Sequence, residues 1–141
     1  MKLILFRGPP GSSKSTSAAK MFPGVLLLEN DMFHMRDGRY QWSKEKMPAA
    51  IAWCSSMVDN ALAHGMDVVV ANTFTQRRFI QSYKALAETY GAEFIVYRCT
   101  GHFQNVHGLS PEMVSGFEKS MEDWPGEIIV DPSCQDGPSL F

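Results

Sequence analysis

Short apolar runs alternate with amphipathic stretches along most of the chain. Continuous apolar runs, typical of strands buried on both faces, occupy residues 2–7, 25–29, 67–71, 93–98 and 127–131. Apolar residues at helical spacing, together with helix start and stop residues, predict helices at about 14–22, 44–64, 76–90 and 110–124. Because strands and helices alternate, the pattern predicts a five-stranded parallel sheet with helices on both faces, a three-layer α/β/α fold.

A parallel sheet of this kind binds ligands beyond the carboxyl ends of its strands. Four loops fall at that edge of the predicted sheet, and we expect the chemistry of the protein to lie in them. They span residues 8–16, 29–36, 71–75 and 98–108.

Composition narrows the class of protein and of partner. The 141 residues, 45% of them hydrophobic, predict a single globular domain over 1–141. A net charge of -2 argues against tight binding to duplex DNA, but small anions and single-stranded ends remain candidates. Three cysteines without metal-ligand spacing (Cys54, Cys99 and Cys134) predict reduced thiols in the cytoplasm. The first apolar run is too short for a membrane span, and the sequence does not indicate an oligomeric state.

The stretch "GPPGSSKST", Gly8 to Thr16, lies between a predicted strand and a predicted helix. It fits the phosphate-binding pattern G-x-x-x-x-G-K-[ST], with Lys14 to bridge the outer phosphates and the Ser15 hydroxyl to hold Mg²⁺. Small residues let the backbone N–H groups wrap the phosphates, and the helix N-terminus adds its positive end. The predicted nucleotide-binding residues are Gly8, Gly11, Ser12, Ser13, Lys14, Ser15 and Thr16.

Ser13 stands where the pattern has its second glycine. If the loop requires a backbone conformation that suits glycine, the serine costs about 1–3 kcal/mol, enough to weaken the site without abolishing it. The sequence leaves open whether the serine is strained or adapted to its place.

Asp31 follows the second predicted strand, in "LLLENDMF", and should lie beside the phosphate loop. A carboxylate there can take the proton of an attacking hydroxyl during phosphoryl transfer. Asn and Asp also favour turns, so a purely structural role for Asp31 is an equal alternative.

Four segments in order ("GPPGSSKST", "ENDMFHM", "VVVANTFT" and "NVHGLSPE") resemble the polynucleotide-kinase-like and zeta-toxin-like P-loop kinases. The resemblance spans nearly the whole chain. It implies a kinase that uses ATP and Mg²⁺, with Lys14 and Asp31 as catalytic residues and a hydroxyl on a small molecule or a single-stranded nucleic acid as acceptor.

The same resemblance assigns residues to the acceptor side. Phe33 matches an aromatic residue after the catalytic aspartate, and His34 stands where polynucleotide kinases have an arginine that reads substrate phosphate. Asn72 and Thr73 match the motif that lines the acceptor pocket, where many relatives carry an aspartate.

The loop before the fourth predicted helix corresponds to the lid of such kinases, which supplies arginines to the transferring phosphoryl group. Here the loop "GHFQNVHG" contains no arginine. His107, with Asn105 two residues earlier, takes roughly that place, and Arg98 is the nearest fixed positive charge. His107 could equally be a structural loop histidine.

Three functions are consistent with these residues. The first is an ATP-dependent kinase that phosphorylates a hydroxyl of a nucleotide, a nucleic-acid 5′ end or a small metabolite. The second is a nucleotide-binding regulatory module with little or no phosphoryl transfer, which the missing lid arginines and Ser13 favour. A kinase toxin acting on a nucleotide sugar is a third reading, which the short chain disfavours.

Overall fold

A computed structural model describes residues 1–36, 39, 40, 43–100 and 110–130. Its central feature is a five-stranded, fully parallel sheet. The strands are β1 (Lys2–Arg7), β2 (Leu26–Leu28), β5 (Val68–Ala71), β6 (Glu93–Cys99) and β7 (Ile128–Val130). They lie in the order β2-β5-β1-β6-β7. Strand β1, which leads into the phosphate loop, is central and pairs with β5 and β6.

In the part of the chain that the structure describes, four α-helices connect these strands: α1 (Lys14–Met21), α2 (Met47–Ala63), α3 (Arg77–Tyr90) and α4 (Pro111–Ser120). The second helix is preceded by a 3₁₀ turn, Lys44–Lys46, and has Pro48 in its first turn, where its missing N–H is harmless. Gly91 ends α3 in the left-handed conformation, as its position in the sequence predicts.

Alternate residues of a strand point to opposite sides of the sheet. Both sets are apolar in β1, and helices cover both faces. On one face Ile4 and Phe6 of β1 pack in a cluster with Ala18 of α1. On the other face Leu3 and Leu5 pack with residues of α2 and α3, such as Val58. The predicted three-layer α/β/α fold with a five-stranded parallel sheet is thereby confirmed.

Three local features differ from the sequence prediction. Residues Asn30–His34 form a 3₁₀ helix, and a two-stranded antiparallel pair follows it, β3 (Met35–Arg36) with β4 (Arg39–Tyr40). Helix α4 ends at Ser120 and not near residue 124, since Glu122 is bonded to Arg7 of the sheet and to Arg77 at the start of α3. Within the described residues, no helix is long and apolar enough to span a membrane.

Candidate functional site

The loop between β1 and α1 follows a path that its small residues permit. A Cβ atom on Gly8 would lie 2.5 Å from Ser12 Oγ and 2.8 Å from the Cys99 carbonyl oxygen, so only glycine fits there. Gly11 has φ 81, in the left-handed region that glycine favours. The loop therefore closes tightly over the carboxyl ends of β1 and β6, ahead of the α1 N-terminus.

Ser13 occupies the left-handed region with φ 64 and ψ 34 and forms the N-cap of α1. Its side chain makes no capping hydrogen bond, although its carbonyl accepts the first helical bond from Ser17 N–H at 2.9 Å. The position thus has the backbone conformation of the glycine that the pattern expects, and a Cβ there costs about 1–2 kcal/mol.

Lys14 curls back over this loop. Its ammonium donates a hydrogen bond to the Pro9 carbonyl at 3.0 Å. Burial lowers the pKa of Lys14, while the negative charges of the Glu29 and Asp31 carboxylates act in the opposite direction. The ammonium is therefore poorly solvated but held in a site of negative potential, a setting in which a bound phosphate would stabilise its charge.

The Ser15 hydroxyl donates a hydrogen bond to the Glu29 carboxylate. Sequence reasoning missed Glu29, although a charged residue at the end of a buried apolar run was a usable signal. A hydroxyl and a carboxylate side by side are the oxygen ligands that Mg²⁺ takes beside nucleotide phosphates. In the described part of the chain, no group of three or more His, Cys, Asp or Glu residues is arranged to hold a metal ion.

Asp31 lies in the 3₁₀ helix Asn30–His34, and its negative charge raises the pKa of Lys14, against the effect of burial. The neighbouring loop after β5 is bonded to this helix and to the phosphate loop. Asn72 Oδ1 accepts a hydrogen bond from Asn30 N–H at 2.8 Å, and the Thr73 carbonyl accepts one from Gly8 N–H at 3.3 Å. Three predicted segments thus meet at the carboxyl edge of the sheet.

Phe33 and His34 differ in their exposure. The Phe33 ring is half-buried, 6.2 Å from the Trp53 ring of α2 and 6.0 Å from the His34 ring. His34 is 1% exposed, so its imidazole is covered in this conformation. Their predicted substrate contacts remain predictions, and Asn105 and His107 lie outside the described residues.

Arg98 is engaged in two ion pairs. Its Nη1 lies 2.7 Å from Asp123 Oδ1 and 3.2 Å from Glu127 Oε2. In this arrangement the guanidinium is paired through Nη1 with two acidic residues of the segment after α4.

Arg7, at the end of β1, is a buried guanidinium that sequence reasoning missed. It donates to the Phe74 carbonyl from Nε at 3.1 Å and from Nη2 at 2.8 Å, and to the Glu122 carbonyl at 2.6 Å. Its Nη1 pairs with Glu127 at 2.8 Å. Phe74 has φ 46, so Arg7 stabilises a strained turn directly after Asn72 and Thr73.

Comparison with known proteins shows the family of this chain. The model of a family described as "AAA domain" matches residues 3–107. Uncharacterized protein PM0531 of Pasteurella multocida (strain Pm70) is 30% identical over 148 aligned positions, which cover 92% of this chain and 83% of that protein.

Solved structures of kinases share the fold. A candidate kinase from Chloroflexus aurantiacus j-10-fl has a TM-score of 0.68 at 19% identity, covering 99% of this chain and 91% of that one. A gluconokinase from Sinorhizobium meliloti 1021 has a TM-score of 0.61 at 16% identity, covering 92% and 82%. The Mycobacterium tuberculosis APS kinase CysC, in complex with AMPPNP and APS, has a TM-score of 0.55 at 15% identity, covering 93% and 88%.

The Pnkp1/Rnl/Hen1 complex also contains a similar chain, with a TM-score of 0.60 at 21% identity over 82% of this chain and 38% of that one. At these identities the likeness shows the fold, which is that of P-loop kinases. With a family model matching residues 3–107 and a relative 30% identical over most of its length, the chain belongs to the AAA domain family and has a P-loop kinase-like fold.

Proposed function

We propose that this protein is an ATP-dependent kinase that transfers the γ-phosphate to a hydroxyl of a nucleotide, a nucleic-acid 5′ end or a small metabolite. One observation carries the proposal: Lys14, whose ammonium is held over the phosphate loop, is within electrostatic reach of both Glu29 and Asp31. The lysine that would bind phosphate, Lys14, therefore lies at the same edge of the sheet as two carboxylates. Glu29 is bonded to Ser15, and Asp31 lies in the 3₁₀ helix.

The donor side of the site binds ATP through backbone and side chain together. Pro9 and Pro10 have no N–H, and the N–H groups of Gly8 and Ser12 are already bonded to backbone carbonyls. The N–H groups of Gly11, of Ser13 and of the first turn of α1 would therefore bind the β- and γ-phosphates, and Lys14 would contact the outer phosphates. Ser15 and Glu29 would hold Mg²⁺, which neutralises charge that develops on the phosphate oxygens.

On the acceptor side, Asp31 serves as the general base. It takes the proton of the acceptor hydroxyl as that oxygen forms its bond to the γ-phosphorus. The bond between the γ-phosphorus and the β–γ bridging oxygen breaks, and ADP leaves with the bonding electron pair. Lys14 stabilises the charge on the transferring group and on the leaving oxygen.

The similar structures include a gluconokinase and an APS kinase, which suggest a sugar acid and APS as two kinds of acceptor. The resemblance of the sequence to polynucleotide kinases adds a nucleic-acid end as a third kind. We therefore define the acceptor as a hydroxyl that can come within reach of the Asp31 carboxylate.

A regulatory nucleotide-binding module is the second candidate, and one observation favours it. Among the described residues, two arginines lie at the carboxyl ends of the central strands, Arg7 and Arg98. The guanidinium group of each forms an ion pair with Glu127. Transition-state charge would then have to be met by Lys14, Mg²⁺ and the loop of His107.

The deciding experiment is a screen of hydroxyl acceptors with γ-labelled ATP, including 5′-hydroxyl oligonucleotides, nucleosides, nucleotides and sugar acids. We expect transfer to one class with the wild-type protein and none with Lys14→Ala. If MgATP binds while no class is phosphorylated, the kinase proposal fails and the regulatory module takes its place.

A further inference from the structure

The loop after β5 connects the phosphate-loop side of the sheet with the turn that bears the acidic residues. The backbone N–H of Asn72 donates to the Phe6 carbonyl at 3.1 Å, and the next carbonyl, of Thr73, accepts from Gly8 N–H. The main chain at Asn72 is therefore fixed to β1 just before the phosphate loop.

The side chain of Asn72 is directed the other way, toward the segment after β2. Its Oδ1 accepts from Asn30 N–H at 2.8 Å, and its Nδ2 donates to Asn30 Oδ1 at 3.2 Å. The same Nδ2 lies 4.0 Å from the buried Cys54 Sγ of α2. The Asn72 amide thus accepts one hydrogen bond from Asn30 and donates another to it, whereas an ionised carboxylate could only accept.

The contact with Asn30 N–H acts at the start of a helix. Asn30 is the first residue of the 3₁₀ helix Asn30–His34, and the first N–H groups of a helix have no partner within it. The N-cap residue, Glu29, makes no side-chain capping bond to this helix, since its carboxylate accepts from Ser15. The Asn72 side chain therefore caps the Asn30 N–H, a hydrogen bond that no side chain at the N-cap of this helix provides.

From these contacts we infer that Asn72 is a positioning residue for phosphoryl transfer: its amide caps the Asn30–His34 helix and so sets where Asp31 lies relative to the phosphate loop. The inference rests on the proposed kinase function. The side chain acts through Asn30, while the hydrogen bond to β1 comes from the Asn72 backbone N–H, so loss of the side chain should move Asp31 and leave the phosphate loop in place.

The first test does not need turnover. Hydrogen exchange at the Asn30 amide, followed by NMR, should accelerate about tenfold or more in Asn72→Ala, because a cap worth a typical hydrogen bond is lost. Exchange at the Asn30 amide should remain slow in Asn72→Asp, because aspartate keeps an acceptor for this N–H. If the alanine variant does not fold, the aspartate variant still tests the cap. Unchanged exchange in Asn72→Ala, or acceleration in Asn72→Asp, overturns the cap.

The second test separates positioning from binding and from folding. In Asn72→Ala we expect kcat with the identified acceptor to fall about 10- to 100-fold, as misplacement of a reacting group by about 1 Å does. The MgATP Kd and the melting temperature should stay near the wild-type values. Asn30→Ala removes only the 3.2 Å side-chain contact and keeps the capped N–H, so its kcat should fall less.

Asn60→Ala is the matched control, since Asn60 is an exposed amide near the end of α2 and far along the helix from the site. It should change neither exchange nor kcat. An unchanged kcat in Asn72→Ala, with active wild type, overturns the positioning role. If the wild type phosphorylates nothing, the proposed function fails, and the exchange comparison alone then upholds or overturns the cap.

Discussion

Arg7 and Glu127 lie 120 positions apart in the sequence, yet their side chains form an ion pair of 2.8 Å at the carboxyl edge of the sheet. Arg7 is fully buried and the Glu127 side chain is 10% exposed. Burial lowers the pKa of Arg7, while the hydrogen bond and the charge of Glu127 act against this shift. The pair joins the strand before the phosphate loop to the segment that follows α4.

Removing Glu127 should therefore destabilise the fold. In Glu127→Ala the Arg7 charge stays buried without its carboxylate, and we expect the free energy of unfolding to drop by about 3–5 kcal/mol. Urea denaturation measures this change. Asp123→Ala is the control, because the Asp123 side chain is 84% exposed in its pair with Arg98, and such pairs contribute about 0–1 kcal/mol. Equal effects of the two substitutions would contradict the importance of burial.

Ser13 offers a test of strain in the phosphate loop. Ser13→Gly removes a Cβ from a residue at φ 64, which should relieve about 1–2 kcal/mol less the extra chain entropy of glycine. We expect a small gain in the free energy of unfolding and a modest gain in MgATP affinity, measured by denaturation and calorimetry. Ser12→Gly, at a residue without positive φ, should give no gain. A fall in affinity in Ser13→Gly would show that the serine is adapted to its place.

Lys14 should control nucleotide affinity in a pH-dependent way. Its hydrogen bonds to charged phosphate oxygens contribute about 1.5–3 kcal/mol, so Lys14→Ala should weaken MgATP binding about 10- to 100-fold. Because burial lowers the pKa of Lys14 below 10.5, the free protein loses the ammonium at a lower pH than an exposed lysine does. Affinity should then decline as the pH approaches 10.5 from below.

Lys14→Arg is the control for that decline, since a guanidinium keeps its charge throughout this range. Calorimetry at a series of pH values should show a falling affinity in the wild type and a flatter profile in Lys14→Arg. Equal affinity of wild type and Lys14→Ala at neutral pH would refute the assignment of the phosphate site.

Asp31 and Glu29 should affect different steps although they are two residues apart. Asp31→Asn removes the proposed base and should lower kcat about 10²- to 10⁴-fold with the MgATP Kd nearly unchanged. Glu29→Gln removes the carboxylate that accepts from Ser15 and should instead raise the Mg²⁺ concentration needed for ATP binding. Steady-state kinetics and Mg²⁺ titrations distinguish the two; normal transfer by Asp31→Asn would leave Asp31 as a turn residue only.

The sequence alone determined the layers of the fold, and it predicts the edge of the sheet at which we propose the site. A strand buried on both faces has to be apolar along its length, and the five apolar runs coincide with β1, β2, β5, β6 and β7. The glycine, lysine and serine spacing from Gly8 to Ser15 likewise predicts a phosphate loop, and the structure gives this segment the tight backbone path that needs small residues at fixed steps.

Only the tertiary structure decided which side chains meet at that edge. Ser15 binds Glu29 across 14 positions, Asn30 binds Asn72 across 42, and Arg7 binds Glu127 across 120. These partners come together because the strands take the order β2-β5-β1-β6-β7. Hydrophobic periodicity shows that a strand is buried but not which strands lie beside it. The long-range hydrogen bonds and ion pairs therefore follow from packing alone. So do the roles that we infer for Glu29, Asn72 and Arg7.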